Sequence, residues 1–358
     1  MIITRYIIRE ITTPFLIGST LLLVIYAGYT TSAFLADAAS NVLQPGIIAY
    51  IIFLNTIPGL GVILPTALYF SVVFGIGRLY RDSEMVSMMA AGISELRVLV
   101  TVFYLALVVA LIAGFVSTVA RPWAFHMSYL LEARAMAELD IEKLQAGRFI
   151  DLKHSNYILY AGEIDRVNKR LRDVYLRTDH DEGVTRVIRA EALYLPETGK
   201  GAVRPVEFEN GYAYLLDRRG HKDSILHFGM LRLHLEGGVL PVGYKRKAEK
   251  TFDLAESGKP ADIAEFQWRL AIPLTTIILA LLGVPLSRMT PQQGRYSRII
   301  LAIVVYALLF NLSGVARTWV EQDRVAAIPG IWWVHVLSVI LLIILIVRPL
   351  RTIRSPGR

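Results

Sequence analysis

Cysteine is missing from all 358 residues, so neither a disulfide framework nor a thiolate metal site is open to this chain. Histidine is sparse, with seven scattered copies. His227 and His234 share a strand-like region but have no carboxylate or histidine at ligand spacing, so no metal is expected. The phosphate-binding loop is absent too. Its nearest approach, Glu197-Thr198-Gly199-Lys200-Gly201, lacks the first glycine and the Ser/Thr of GxxxxGK[ST]. Neither HExxH nor GxSxG occurs, so no catalytic residue and no bound cofactor are expected. Charge is also missing from several long runs, and about 20 apolar residues suffice to cross a bilayer. With a mean hydropathy of +0.48, this is an integral membrane protein. The spans hold almost no ionisable residues, which argues against a proton-coupled transporter built on buried carboxylates. Energy for any transport must then come from another subunit.

What charge there is has a pattern. The formal excess of +8 lies in segments placed on the inner side, where twelve arginines face four acids, Glu10, Asp82, Glu84 and Glu95. That is the positive-inside signature, not a groove for nucleic acid.

Residues 1–13, MIITRYIIREITT, are amphipathic and are predicted to lie along the inner membrane surface. A first span follows over 14–35. Ala36-Asp37-Ala38 resembles a signal-peptide cleavage site, but the apolar core is long for such a peptide, and retention is expected. The next apolar tract, 46–77, is too long for one straight span at about 1.5 Å per residue. Pro58 and Pro65 offer breaks, giving a short outer helix over 47–55 and a second span to about 76. A third span is predicted over 98–120, a fourth over 270–286, a fifth over 299–318 and a sixth over 331–347. All five tryptophans fall at predicted outer boundaries, where an amphipathic ring is most comfortable.

Residues 121–266 differ in kind, with twenty-three basic and twenty-three acidic residues. A charged helical approach over 126–145 gives way to period two in RFIDL, NYILYAGEI, DVYLRT, TRVIRAEALYL, VEFENGYAYLLD and ILHFGMLRLHLE. Six or more antiparallel strands imply a β-sandwich or roll. The fold class expected is therefore an α-helical membrane protein of six transmembrane helices, with an all-β outer domain inserted between spans three and four. Its parts are 1–120, 121–266 and 267–358, and both termini lie inside.

Between the second and third spans lies RLYRDSEMVSMMAAGISELR, read as a short helix outside the bilayer. Asp82 or Ser83 can cap its start and Gly92 can close it. Glu84 suits the first turn, and Met85, Met88 and Met89 make an adaptable surface, with Arg81 beside them. Spacing alone allows two readings: a connector at the interface, or a lever receiving force from an inner partner. Arg317, two residues before Trp319, likewise has a plain reading as an interfacial arginine that snorkels or pairs with Glu321.

These residues together resemble the lipopolysaccharide export permease family LptF/LptG, on the LptF side. The start MIITRYIIRE, the segment GRLYRDSEMVSMMAAGIS and the stretch EFQWRLAIPLTTIILALLGVPLSRMTPQQGR carry the resemblance. The last of these holds the family's positions at Arg269, Pro273, Pro285 and Gln293–Arg295. The resemblance implies a non-catalytic permease half of an ABC exporter in the inner membrane of a Gram-negative cell, with a periplasmic β-jellyroll. Its implied partners are an LptG-like permease, an LptB-like ATPase dimer that uses the ATP, an LptC-like bitopic jellyroll protein, and lipopolysaccharide. Glu84 matches the coupling-helix glutamate. Arg317, with Asn311, Ser313 and Gly314 on a small polar face, becomes a candidate for holding a lipid-A phosphate, since a guanidinium binds phosphate bidentately. The outer end of the first span, YAGYTTSAFLAD, carries no base for that task. Competing classes are an ABC permease of another type, whose outer domain would follow the first span, and a membrane-anchored periplasmic sensor or enzyme.

Overall fold

The computed structural model describes residues 2–38, 45–137, 146–147, 149–152, 157–165, 170–179, 184–194, 204–217, 223–235, 245–288 and 297–352. Gln293–Arg295, the Glu197–Gly201 string and most strand-connecting turns lie outside these residues. The chain divides into two compact units. One is Met1–Ser32, Ile52–Phe125 and Lys245–Arg358; the other is Ala33–Ile51 and His126–Tyr244.

The described helices, in chain order, are α1 (Ile2–Ala38), α2 (Pro45–Thr56), α3 (Leu60–Arg81), α4 (Glu84–Ala90), α5 (Glu95–Phe115), α6 (Arg121–Ala137), α7 (Thr251–Glu256), α8 (Pro260–Leu286), α9 (Ser297–Glu321) and α10 (Trp332–Thr352). Among the described residues, five apolar helical segments are long enough to cross a membrane: Ile2–Ala33, Ala49–Arg81, Glu95–Leu131, Pro260–Leu286 and Ile299–Glu321. The apolar part of α10, Trp332–Val347, is shorter. Where six full spans are expected from sequence, five helices therefore meet the length and a sixth is brief.

The first 13 residues depart from expectation. They do not form a separate surface helix but run into the first span as one helix with Pro14 inside it. The amphipathic stripe is used within the protein, because Ile7 and Ile11 are buried with Leu68, Val72, Ile76 and Leu79 of α3 and with Val98 and Val102 of α5. Pro14 has no N–H to give the carbonyl of Glu10, four residues back. Gly75 of α3 comes up against that carbonyl, and a Cβ at Gly75 would sit 2.8 Å from the oxygen. The break near 58 is found, as a 3₁₀ turn over Ile57–Gly59, whereas Pro65 continues inside α3. The third span is likewise longer than predicted, with a π turn over Val116–Ala120 leading from α5 into α6.

Helix α8 is the centre of this unit and packs against α3, α5, α9 and α10. In lipid, helices associate through close packing and hydrogen bonds, not through expulsion of water. Gly283 brings α8 against α3, where a Cβ would lie 2.9 Å from Val72 Cγ1. Tyr69 donates its hydroxyl to the Ala302 carbonyl at 2.8 Å, fastening α9. At the arginine-rich end, Arg288 gives Nε–H to Glu95 at 2.6 Å and an Nη1–H to the Leu345 carbonyl at 2.8 Å.

The described residues of the second unit form one antiparallel sheet of six strands, β1 (Phe149–Leu152), β2 (Tyr157–Asp165), β3 (Arg170–Asp179), β4 (Val184–Tyr194), β5 (Arg204–Asp217) and β6 (Ser224–Leu235). Each strand pairs with its chain neighbour, so the described strands form a meander, not the two packed sheets of a sandwich. Four residues separate β1 from β2, β2 from β3 and β3 from β4, nine follow β4 and six follow β5. Connections that short favour hairpins over crossovers.

The sheet nonetheless makes a core, because it is creased. On β2 to β6 the inward residues step by two, except for one step of three on every strand: Ala161 to Ile164, Leu171 to Val174, Ala190 to Leu193, Phe208 to Gly211, Phe228 to Leu231. Those residues form two facing rows in register, Ala161–Val174–Ala190–Gly211–Phe228 and Ile164–Leu171–Leu193–Phe208–Leu231, and they line the buried cluster of this unit. Between the rows the ladder is interrupted at Gly162, Asp173, Glu191, Asn210 and Gly229. Asp173 and Asn210 take positive φ, 48° and 47°. An extra residue at one place bends a strand, as in a β-bulge, and the same insertion on five strands bends the whole sheet. A Cβ at Gly211 would fall 2.2 Å from the Arg189 carbonyl oxygen and 2.7 Å from the Phe228 ring. Gly211→Val is therefore expected to destabilise this unit by about 1–3 kcal/mol or more, seen as faster protease cleavage within 126–244 of the full-length protein; unchanged cleavage would count against the crease.

Candidate functional site

Two places in the helical unit concentrate polar side chains. The first is the turn carrying α4. Ser83 precedes it with φ 59° and ψ 8°, and its side chain makes no capping bond. Asp82 does not cap either. Its carboxylate accepts from Arg81 Nε at 3.0 Å and Arg78 Nε at 3.4 Å, and the bond from Arg81 comes first in holding its pKa below the ordinary value. Gly92 closes the turn as expected at φ +83°, its N–H bonded to Met89 O at 2.9 Å and the Ile93 N–H to Met88 O at 3.0 Å. The methionines do not form one outward surface. Met85 is buried in the core with Ile7 and Ile11, Met88 packs half-buried against that core, and only Met89 is exposed, beside Val86. A seven-residue helix on the edge of a bundle must turn one side inward, and Met85 is on that side.

Glu84 is engaged within the chain. Its Oε2 accepts the hydroxyl of Tyr6 at 2.6 Å. One turn further along α1, Glu10 accepts from Arg78 Nη1 at 3.0 Å. Tyr6 was not singled out from sequence. The available signal was its place four residues before Glu10, which puts both on one helix face.

The second place is at the other end of α8. Glu265, fully buried, meets three guanidinium groups: Arg269 Nε at 3.1 Å and Arg121 Nη2 at 3.1 Å on Oε1, and Arg317 Nη2 at 2.8 Å on Oε2. Arg269, also fully buried, uses all five of its N–H donors. Besides Glu265 they reach the carbonyls of Glu249 (2.8 Å), Arg246 (3.2 Å) and Lys247 (3.1 Å) and the Thr251 hydroxyl (3.1 Å). The Thr251 hydroxyl in turn donates to Thr118 O at 2.7 Å, and Ser117 donates to Arg269 O at 3.1 Å, so the π turn is tied in. A count of charges does not reveal this cluster, because Arg121 and Glu265 fall within the evenly charged stretch 121–266.

Arg317 is placed differently from its plain reading. Its partner is Glu265, while Glu321 pairs with Arg246. Its Cζ stands 5.0 Å over the Trp268 ring. Asn311 and Ser313 give their donors to their own helix, at Ala307 O and Leu309 O, so no polar face converges on Arg317. Ser313 lines an apolar pocket with Thr66, Thr275, Tyr306 and His335. Among the described residues, no three His, Asp or Glu side chains are grouped to hold a metal.

Long apolar helices around a central span, an arginine-flanked turn helix and a separate creased sheet define a helical membrane protein with a β domain. Residues 5–348 match the family described as the lipopolysaccharide export system permease LptF/LptG, and the chain belongs to that family. It is similar to the lipopolysaccharide export system permease protein LptF of Escherichia coli strain K12, at 24% identity over 352 residues, which is 96% of this chain and 94% of that protein. The LptF of Shigella flexneri is similar to the same extent. Members of that family are described as permeases, transport subunits of lipopolysaccharide export.

Removing one member of a buried ion cluster leaves uncompensated charge at a cost of about 3–5 kcal/mol. Arg269→Met is expected to lower the thermal midpoint of the detergent-purified protein sharply, and Arg317→Ala less so, because Arg317 is partly exposed. Equal midpoints for the two variants would contradict the central place given to Arg269.

Proposed function

We propose that this chain is the permease half of an ABC exporter in the inner membrane, paired with a second, LptG-like permease on an LptB-like ATPase dimer. The observation that carries this reading is α4, a short helix between two spans with Arg78, Arg81 and Arg97 around it and Glu84, Val86 and Met89 available at its surface. Arginines of this kind mark the cytoplasmic side, where an ATPase would dock. ATP is used by that partner, and this chain binds no cofactor.

The two least covered spans support the second permease. Only 6% of the most apolar window of the first span and 11% of that of Ile299–Glu321 are buried, against 44–67% for the other three. Leu16, Ile17, Leu21, Val24 and Ile25 of α1 and Ile300, Val304 and Leu308 of α9 face outward. A cavity shared between two permeases would be walled by these helices, with α10 completing six spans. Arg317 stands on α9, partly exposed, and among the described residues its hydrogen-bond partner is Glu265, which leaves N–H groups for a lipid-A phosphate, with Asn311 and Ser313 on the same helix. The creased sheet is the periplasmic jellyroll-like element of the bridge. β6 pairs only with β5 among the described strands, and its exposed Ile225, Leu226 and Met230 suit continuation by an LptC-like jellyroll.

Glu84→Lys tests the first part. It removes a charge-assisted hydrogen bond of roughly 1.5–3 kcal/mol and turns the sign of the contact. The expected result is poor recovery of the ATPase with the permease and weak lipopolysaccharide-stimulated hydrolysis; full recovery and full stimulation would refute the docking role. Arg317→Ala should assemble normally but carry less lipopolysaccharide through purification. Full loading would reduce Arg317 to a partner of Glu265.

A further inference from the structure

The contacts of α1 with the α4 turn have a role that α4 alone does not explain. Tyr6, Ile7, Glu10 and Ile11 occupy one side of the first three turns of α1. Ile7 and Ile11 are covered by the same core that holds Met85 of α4. Tyr6 bonds Glu84 at 2.6 Å, Glu10 bonds Arg78 at 3.0 Å, and Gly75 allows α3 to touch the Glu10 carbonyl. Beyond these turns α1 is largely uncovered, with 6% of its most apolar window buried. The helix is thus held by polar links at the end beside α4 and is mostly outward-facing along the stretch proposed to wall the substrate cavity, where Tyr26 meets Gly59.

A carboxylate has two oxygens and can serve two partners. Tyr6 occupies Oε2 of Glu84, and among the described residues nothing bonds Oε1. A docked cation of the ATPase would take Oε1 while Tyr6 keeps Oε2, so the carboxylate would join the ATPase to α1. Displacement of α4 would reach the first span through that hydroxyl, alongside the apolar contacts that Ile7 and Ile11 share with Met85.

We infer that Tyr6 is a positioning residue for energy coupling, which orients Glu84 toward the ATPase and passes the movement of α4 to the first span. This rests on the coupling reading of α4 given above. Tyr6→Phe deletes the hydroxyl and keeps the ring that packs on the core. In the assembled complex in lipid vesicles, lipopolysaccharide released per ATP hydrolysed is expected to fall about tenfold, the factor corresponding to a charge-assisted hydrogen bond. Tyr6→Phe combined with Glu84→Ala should be no worse than Glu84→Ala alone.

A wild-type ratio in Tyr6→Phe, with Glu84→Lys impaired, overturns this inference and leaves the docking role of α4 standing. Wild-type behaviour in both variants overturns the two together. Fully multiplicative losses in the double variant also overturn it, since Tyr6 would then act apart from Glu84. Failure of Tyr6→Phe to assemble, where Glu84→Ala assembles, overturns it in favour of a packing role.

Discussion

The helical unit is organised around a guanidinium that has no water to turn to. Arg269 is fully buried on the central helix, and each of its five N–H groups has an acceptor. A charge in that setting is tolerable only when it is paired and its donors are filled. The requirement fixes more than one side chain. It sets the path of 246–251, where the carbonyls of Arg246, Lys247 and Glu249 and the hydroxyl of Thr251 must point inward, and it places Glu265 one turn earlier on α8. Glu265 in turn brings Arg121 and Arg317 from two other helices to the same carboxylate. Three cations on one anion would repel without further help. The carbonyl dipoles around Arg269 and the aromatic faces of Phe125, near Arg121, and Trp268, near Arg317, provide it.

The other end of the bundle is joined by weaker, more exposed links, Tyr6–Glu84, Glu10–Arg78 and Glu95–Arg288. Of these only Glu10–Arg78 reaches the surface, and exposed ion pairs contribute little to stability. The contrast suits a device that must hold its shape at one end and respond at the other.

Much of this was legible in the sequence because membrane spans and alternating strands are written in hydropathy period. The helices fall where apolar runs fall, and all six strand strings became strands. Gly92 was legible as well, since a left-handed turn end has few substitutes. Side-chain partnerships were not. Glu265 and Arg121 lie where the apolar runs end, so composition assigned them to the soluble part. Pro14 read as a boundary, yet the helix passes through it. Ser83 and Asp82 looked like caps, but the neighbouring arginines take the Asp82 carboxylate. Met85, Met88 and Met89 read as one surface because spacing cannot say which side of a single-sided turn faces the core.

The crease in the β unit limits how such a sheet can be altered. Each of five strands carries its additional residue in the same transverse row, so removing one from a single strand would shift its inward face on one side of the fold and leave its neighbours unchanged. Length along the strands is therefore a collective property. Width is not, because a hairpin added beyond β6 need only repeat the pattern of its neighbour. A chain built this way can grow sideways by modules while its fold line stays fixed.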